Sequence, residues 1–165
     1  MTDLAIQNAG EHDFRAVVDL NDSEVQHTSA MDLNRLKYLH SLASYHRVAA
    51  AGNVVAAFLL AMEDHVPYEN DNYRWFSARY EKFLYIDRVV VGRKFQGRGI
   101  GKLLYADLFD YARQKHIPLV SCEINAIPPN EGSSAFHAGL GFREIGSQWI
   151  REGQKKVSMQ AVSID

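Results

Sequence analysis

The residues best suited to chemistry lie at Gln96-Gly97-Arg98-Gly99-Ile100-Gly101-Lys102, directly after the β-branched run Val89-Val90-Val91 and the basic turn Gly92-Arg93-Lys94. Glycine allows backbone positions that a Cβ forbids, and the first turn of a following helix has N–H donors with no internal acceptor. Successive N–H groups can therefore point outward together, which is how a strand–turn–helix junction binds phosphate. The spacing narrows the ligand. A nucleoside-triphosphate loop needs G-x-x-x-x-G-K-[ST], but Gln96 stands at the first glycine and Leu103 at the metal-binding hydroxyl. A dinucleotide loop needs G-x-G-x-x-G, and the glycines here alternate as G-x-G-x-G.

What remains is Q-x-x-G-x-G at Gln96 to Gly101, which resembles the acetyl-coenzyme A loop of the GNAT superfamily of N-acetyltransferases. A second stretch, Asn130 to Phe142, reads N-E-G-S-S-A-F-H-A-G-L-G-F and is similar to that family's N-x-x-S-x-x-F-[YH]-x-x-L-G-F signature. The two signatures stand in the family's order with a strand between them. The resemblance is close over residues 83 to 145 and follows pattern alone elsewhere.

The resemblance implies an N-acetyltransferase that moves an acetyl group from acetyl-CoA to a primary amine by direct attack in a ternary complex. It implies that the pyrophosphate rests on Gly97, Arg98, Gly99, Gly101 and Lys102, with Gln96 assisting. The pantetheine arm would pair with the main chain of Val89 and Val91 as an added strand. Asn130, Ser133, Phe136 and His137 align with positions along the coenzyme; Asn130 would equally serve as the cap of the following helix. Two other readings stay open: a non-catalytic acyl-CoA-binding module, and a transferase that uses a longer acyl-CoA.

Amine attack requires a neutral amine and a stabilised leaving thiolate. Many relatives carry tyrosine after the signature phenylalanine as the acid, where this chain has His137. An imidazolium can donate to a thiolate; the alternative is a histidine that only hydrogen-bonds the coenzyme or a backbone carbonyl. Glu123 is the first candidate base, because a glutamate at the corresponding place serves some protein N-terminal acetyltransferases. Asp87, on the coenzyme strand with Tyr85 and Val89 on the same face, is the second. Either carboxylate could instead be a structural partner of Arg88 or of a turn.

The expected acceptor is a small-molecule or peptide amine. The long segment Glu63 to Glu81, rich in aromatics, is expected to be the loop that recognises it, with Tyr73, Trp75 and Phe76 as substrate residues. Trp75 and Phe76 could equally plug the core. Asp22, Glu24, His27 and Asp32 form a further possible amine-binding surface, or are simply solvated.

The 165 residues, 47% hydrophobic, match one domain with one core, residues 1–165. A net charge of −2 gives no bulk attraction to nucleic acid or to anionic membrane, so neither is expected as a partner. Arg88, Arg93, Lys94, Arg98 and Lys102 nevertheless concentrate positive charge near the glycine turn. Cys122 is the sole cysteine, read as a buried apolar residue in a reducing cytoplasm. The histidines show no paired ligand spacing, so no metal is expected. Met1 to Gly10 has no basic segment followed by an apolar stretch, and the longest apolar run, near Val48 to Met62, is broken at Gly52-Asn53, so a soluble, unexported chain is expected.

These residues need positioning elements. Periodicity predicts a strand at Leu4 to Ile6, helices after Asp13 and at Leu33 to Leu42, and a hairpin of Tyr45 to Ala51 with Val54 to Met62. The first helix is expected to break at Asn21-Asp22-Ser23. Phe83 to Val91 and Pro118 to Asn125 flank the Gly99 to Lys115 helix as a parallel crossover. A short helix from Asn130 and a last hairpin complete the chain. The resemblance implies the GNAT fold: an α/β (α+β), mixed and mostly antiparallel sheet flanked by helices, with a splayed parallel central strand pair. Family habit adds a possible homodimer through exposed edge strands of the last hairpin.

Overall fold

The computed structural model describes residues 3–25 and 28–165. His27 lies outside the described residues. The strands are β1 (Ala5–Asn8), β2 (Tyr45–Ala51), β3 (Val54–Glu63), β4 (Leu84–Val91), β5 (Leu119–Ile127), β6 (Arg143–Ile150) and β7 (Lys155–Ser163). The helices are α1 (Phe14–Ser23), α2 (Leu33–Leu42), α3 (Asp71–Ser77), α4 (Ile100–Gln114) and α5 (Glu131–Gly139). The strand order is β1-β2-β3-β4-β5-β7-β6. β4 and β5 are parallel, with Leu84 opposite Val120 and Tyr85 opposite Ser121. β1–β2, β2–β3, β5–β7 and β6–β7 are antiparallel. This is the mixed, mostly antiparallel architecture expected from the resemblance.

Two compact units are distinguished along the chain: Met1–Met62 with Ile86–Tyr111, and Glu63–Tyr85 with Ala112–Asp165. In the first, the buried run Ala56 to Met62 in β3 is apolar on both faces, as befits a strand covered twice. α1 contributes Phe14, Val17 and Val18 to this core, and α2 contributes Leu36 and Leu39 at helical spacing. The Asp32 carboxylate accepts from the Arg35 N–H at 2.7 Å and caps α2. The break expected at Asn21-Asp22-Ser23 comes at the end of that stretch, where α1 stops. The helix runs through Asn21 and Asp22 to Ser23, and Asn21 is buried with its amide donating to the Ser29 carbonyl at 2.9 Å. That bond satisfies a side chain that would otherwise compete with the helix backbone.

In the second unit, part of the segment expected as a long loop is α3. Asn70 caps it, its side-chain oxygen accepting from the N–H groups of Asn72 and Tyr73. Tyr73 and Phe76, three apart, share one face and are buried against Phe83 and Tyr85. β7 carries the buried residues Val157, Met159 and Ala161 between β5 and β6, while β6 is exposed or half-buried throughout, as an edge strand should be.

Candidate active site

In the first unit the residues of β4 alternate. Ile86, Arg88 and Val90 are buried; Asp87, Val89 and Val91 are less so. Arg88 donates from Nε to Asp87 Oδ2 at 2.7 Å, with both side chains only 4% exposed. Its Nη1 donates to Asn21 Oδ1 at 3.1 Å and to the Ser29 carbonyl at 3.0 Å. Arg88 is therefore not part of the exposed basic cluster but a buried cation, and the Asp87 carboxylate beside it is what makes that burial tolerable. Asp87 thus takes the structural role open to it in the sequence.

The turn after β4 joins the strand to α4 through three glycines. The Gly92 N–H donates to the Ala56 carbonyl at 2.8 Å, and a Cβ there would approach Leu20 Cδ2 to 2.9 Å, so a larger residue would have to displace the Leu20 side chain. A 3-10 turn at Arg93–Phe95 follows. Gly97 and Gly99 both sit at φ +78°, and neither has an atom within 4 Å of the position a Cβ would take. Glycine is required there by conformation rather than by crowding. α4 closes its first bond from the Leu103 N–H to the Gly99 carbonyl at 3.1 Å, so the N–H groups of Ile100, Gly101 and Lys102 precede the helical ladder. Arg98 and Lys102 are exposed beside them, with the Arg98 guanidinium over the Phe95 ring. N–H groups that precede the helical ladder, at a helix N-terminus beside exposed cations, are a combination suited to an anion such as a pyrophosphate. Gln96 braces this turn from behind: its amide donates to the Val91 carbonyl at 3.0 Å and reaches Glu24 at 3.5 Å. Glu24 also pairs with Arg93 at 3.3 Å, which accounts for a residue proposed for amine binding.

In the second unit, the Tyr85 hydroxyl donates to Glu123 Oε2 at 2.7 Å. Glu123 is half-buried on β5, opposite Met159 of β7. Lys155 senses its charge: burial lowers the Lys155 ammonium pKa and Arg151 pushes the same way, while Glu123 opposes them. The neighbouring Cys122 thiol is pushed well up, first by burial and then by Glu123, so Cys122 is inert as a nucleophile. Tyr85 did not stand out as a site residue in the sequence; its place on the face of Asp87 was the only signal, and nothing in the sequence shows which β5 residue it meets.

α5 holds the second signature. Asn130 Oδ1 accepts from the Ser133 N–H at 3.2 Å and caps the helix. His137 is buried and its Nδ1 lies 2.7 Å from the Ser133 carbonyl, 3.3 Å from the Ser133 hydroxyl. A carbonyl only accepts, so Nδ1 carries the proton of the neutral ring. The ring meets Phe136 and Phe142 edge-on. Burial lowers its pKa, partly offset by the bond to Ser133.

The three expected substrate residues are placed as follows. Tyr73 and Phe76 are buried in the core of their unit, Tyr73 with its hydroxyl donating to the Glu63 carbonyl at 2.7 Å. The reading of them as an acceptor surface is corrected by α3, which turns them inward. Trp75 is half-buried; its indole covers Gly146 so closely that a Cβ there would collide with it, and Arg79 stacks at 3.8 Å from its ring centre. Among the described residues no group of three or more His, Cys, Asp or Glu could hold a metal ion, and no helix is long and apolar enough to cross a membrane.

A model of the acetyltransferase (GNAT) family matches residues 12–142. Over 51 residues the chain is 45% identical to phosphinothricin N-acetyltransferase of Streptomyces coelicolor, a match covering 31% of this chain and 29% of that protein. Among solved structures it is similar to Ard1 from Thermoplasma volcanium, with TM-score 0.80, 13% identity and 98% of each chain covered. It is also similar to yncA, a putative acetyltransferase from Salmonella typhimurium solved with acetyl-CoA, with TM-score 0.74, 22% identity, and 99% of this chain and 95% of that chain covered. At those identities the structural likeness speaks to the fold.

Proposed function

Because the chain belongs to the GNAT acetyltransferase family, we propose that it transfers an acetyl group from acetyl-CoA to a primary amine by direct attack. The observation that carries this is the turn at Gly97 to Lys102, with two glycines at positive φ opening a fifteen-residue helix. Its N–H groups, with Arg98 and Lys102, hold the pyrophosphate; Gln96 keeps the turn in shape through Val91. The main chain of Val89 and Val91 is suited to pair with the pantetheine arm as an added strand.

Glu123 is the base. An amine of ordinary basicity, with a pKa near 10, is protonated at neutral pH and cannot attack until a carboxylate, directly or through water, takes the proton. Asp87 is less suited, because Arg88 holds its carboxylate at 2.7 Å. His137 protonates the departing thiolate only as an imidazolium, a form that burial disfavours. A free thiol has a pKa of about 8.5, so the thiolate leaves readily at neutral to mildly alkaline pH without a dedicated acid. The acceptor is a small-molecule or peptide amine; the name of the Streptomyces coelicolor relative, a phosphinothricin N-acetyltransferase, favours the small-molecule class. The buried lone thiol suits a cytoplasmic setting.

The test is thiol release from acetyl-CoA across amino acids, polyamines, aminoglycosides and peptide N-termini. Acceptor-dependent release with intersecting initial-rate lines supports the reading. Coenzyme-induced thermal stabilisation without release for any amine overturns transfer and leaves a binding module.

A further inference from the structure

Tyr85 and Tyr73 lie with their rings in contact, 5.6 Å apart and edge to face, yet their hydroxyls are satisfied in different ways. Tyr73 donates to a backbone carbonyl, that of Glu63, which is the ordinary solution for a buried phenol. Tyr85, fully buried, donates instead to the side chain of Glu123, a half-buried residue 38 positions away. We propose that Tyr85 is a positioning residue for Glu123, fixing the carboxylate that the preceding subsection reads as the base; the inference rests on that reading.

The argument is one of anchoring. Glutamate has three rotatable side-chain bonds, and holding its carboxylate in one place costs rotamer entropy. A phenol donor at 2.7 Å supplies a charge-assisted bond of the short, strong kind. The donor is itself immobile: the Tyr85 ring is packed against Tyr73 and Phe76 of α3, at 5.6 and 5.9 Å between centroids. Its main chain is held in the sheet, where Tyr85 lies opposite Ser121. Glu123 is two residues beyond Ser121, so a tyrosine on one strand reaches the carboxylate two positions along the next. Proton transfer depends on the acceptor oxygen being within hydrogen-bond reach of the amine or its bridging water, and small displacements of a catalytic group cost large factors in rate. Tyr85 need not touch substrate to matter.

The decisive experiment is a double-mutant cycle with Tyr85→Phe, Glu123→Gln and the double variant, measured by thiol release with the best acceptor of the panel and by acetyl-CoA-dependent thermal shift. Phenylalanine keeps the ring packing and removes only the donor. The expected result is a roughly tenfold fall in kcat for Tyr85→Phe, with the KM for acetyl-CoA within about twofold, and no further loss when the change is made in the Glu123→Gln background. The same factor lost in both backgrounds overturns the positioning role and leaves the base assignment standing. Full activity in Glu123→Gln overturns the base assignment, and with it this inference. Should Tyr85→Phe not fold, Glu123→Asp tests the geometry from the other side: the shorter acid retreats from a fixed hydroxyl and kcat should fall by a similar factor, whereas wild-type kcat overturns the proposal.

Discussion

His137 shows how one bond changes a residue's chemistry. Its Nδ1 proton lies on the Ser133 carbonyl and burial holds the ring neutral, so Nε2 has no proton to give at neutral pH. An imidazolium acid would make activity fall as pH rises through its pKa, which here lies below the usual 6.5. Thiol-release rates should therefore not decline between pH 7 and 8.5, and His137→Phe should keep most of its turnover while losing about 1 kcal/mol of stability from the missing hydrogen bond. A collapse of kcat in that variant would restore the acid. The Phe-His pair was visible in the sequence, but the carbonyl four residues back that settles its tautomer was not. A second histidine makes a stability prediction. His46 is buried beside Phe14, Phe58 and His40, with its Nδ1 2.8 Å from His40 Nδ1 and, among the described residues, no hydrogen-bond partner for Nε2. Burial, then the nearby His40, lowers its pKa from 6.5 to about 3. The unfolded chain binds the proton first as pH falls, so this stability is complete above pH 6.5 and is lost progressively toward pH 3. At pH 5 the loss is about 2 kcal/mol from this residue. A His46→Phe variant should show a smaller drop in Tm between pH 7.5 and 5 than the parent; an equal drop would place the acid sensitivity elsewhere.

Elements were legible where pattern and length agreed. Leu33, Leu36 and Leu39 announced α2, and the glycines announced the junction of β4 with α4, because each signal is local and several residues repeat it. α3 was not legible as a helix: seven residues give barely two turns, and its aromatics suit a loop or a strand equally well until Asn70 is seen to cap it. That is why Tyr73 and Phe76 looked like binding residues and are core. The same distinction between conformation and packing separates two glycine predictions. Gly99→Ala meets no neighbour but forces an L-residue to φ +78°, at a cost of about 1 kcal/mol, and it should raise the KM for acetyl-CoA severalfold while leaving kcat at saturation nearly intact. Gly146→Ala meets the Trp75 indole directly, so it should lower Tm by several degrees through displacement of Trp75, with the KM for acetyl-CoA unchanged. Interchanged effects, a KM change at Gly146 and a purely thermal one at Gly99, would refute both assignments.

At the scale of the whole chain the order of the last strands was hidden. A hairpin can join a sheet by either of its strands; here β7 pairs with β5 and buries Val157, Met159 and Ala161, while β6 is the exposed edge. Long-range pairing of this kind leaves no trace in local spacing. The division into two compact units bears on cooperativity. Each is assembled from two separated stretches of sequence, 1–62 with 86–111 and 63–85 with 112–165, so neither can be excised as one continuous piece. β4 itself passes from one to the other between Tyr85 and Ile86. The chain is expected from its length to behave as a single domain. Calorimetry should show one transition whose van't Hoff and calorimetric enthalpies agree, and acetyl-CoA at 100 times its Kd should stabilise that transition as a whole by about 2.7 kcal/mol. Two resolved transitions, only one of them moved by the coenzyme, would instead make the two units independent domains, each stable on its own terms.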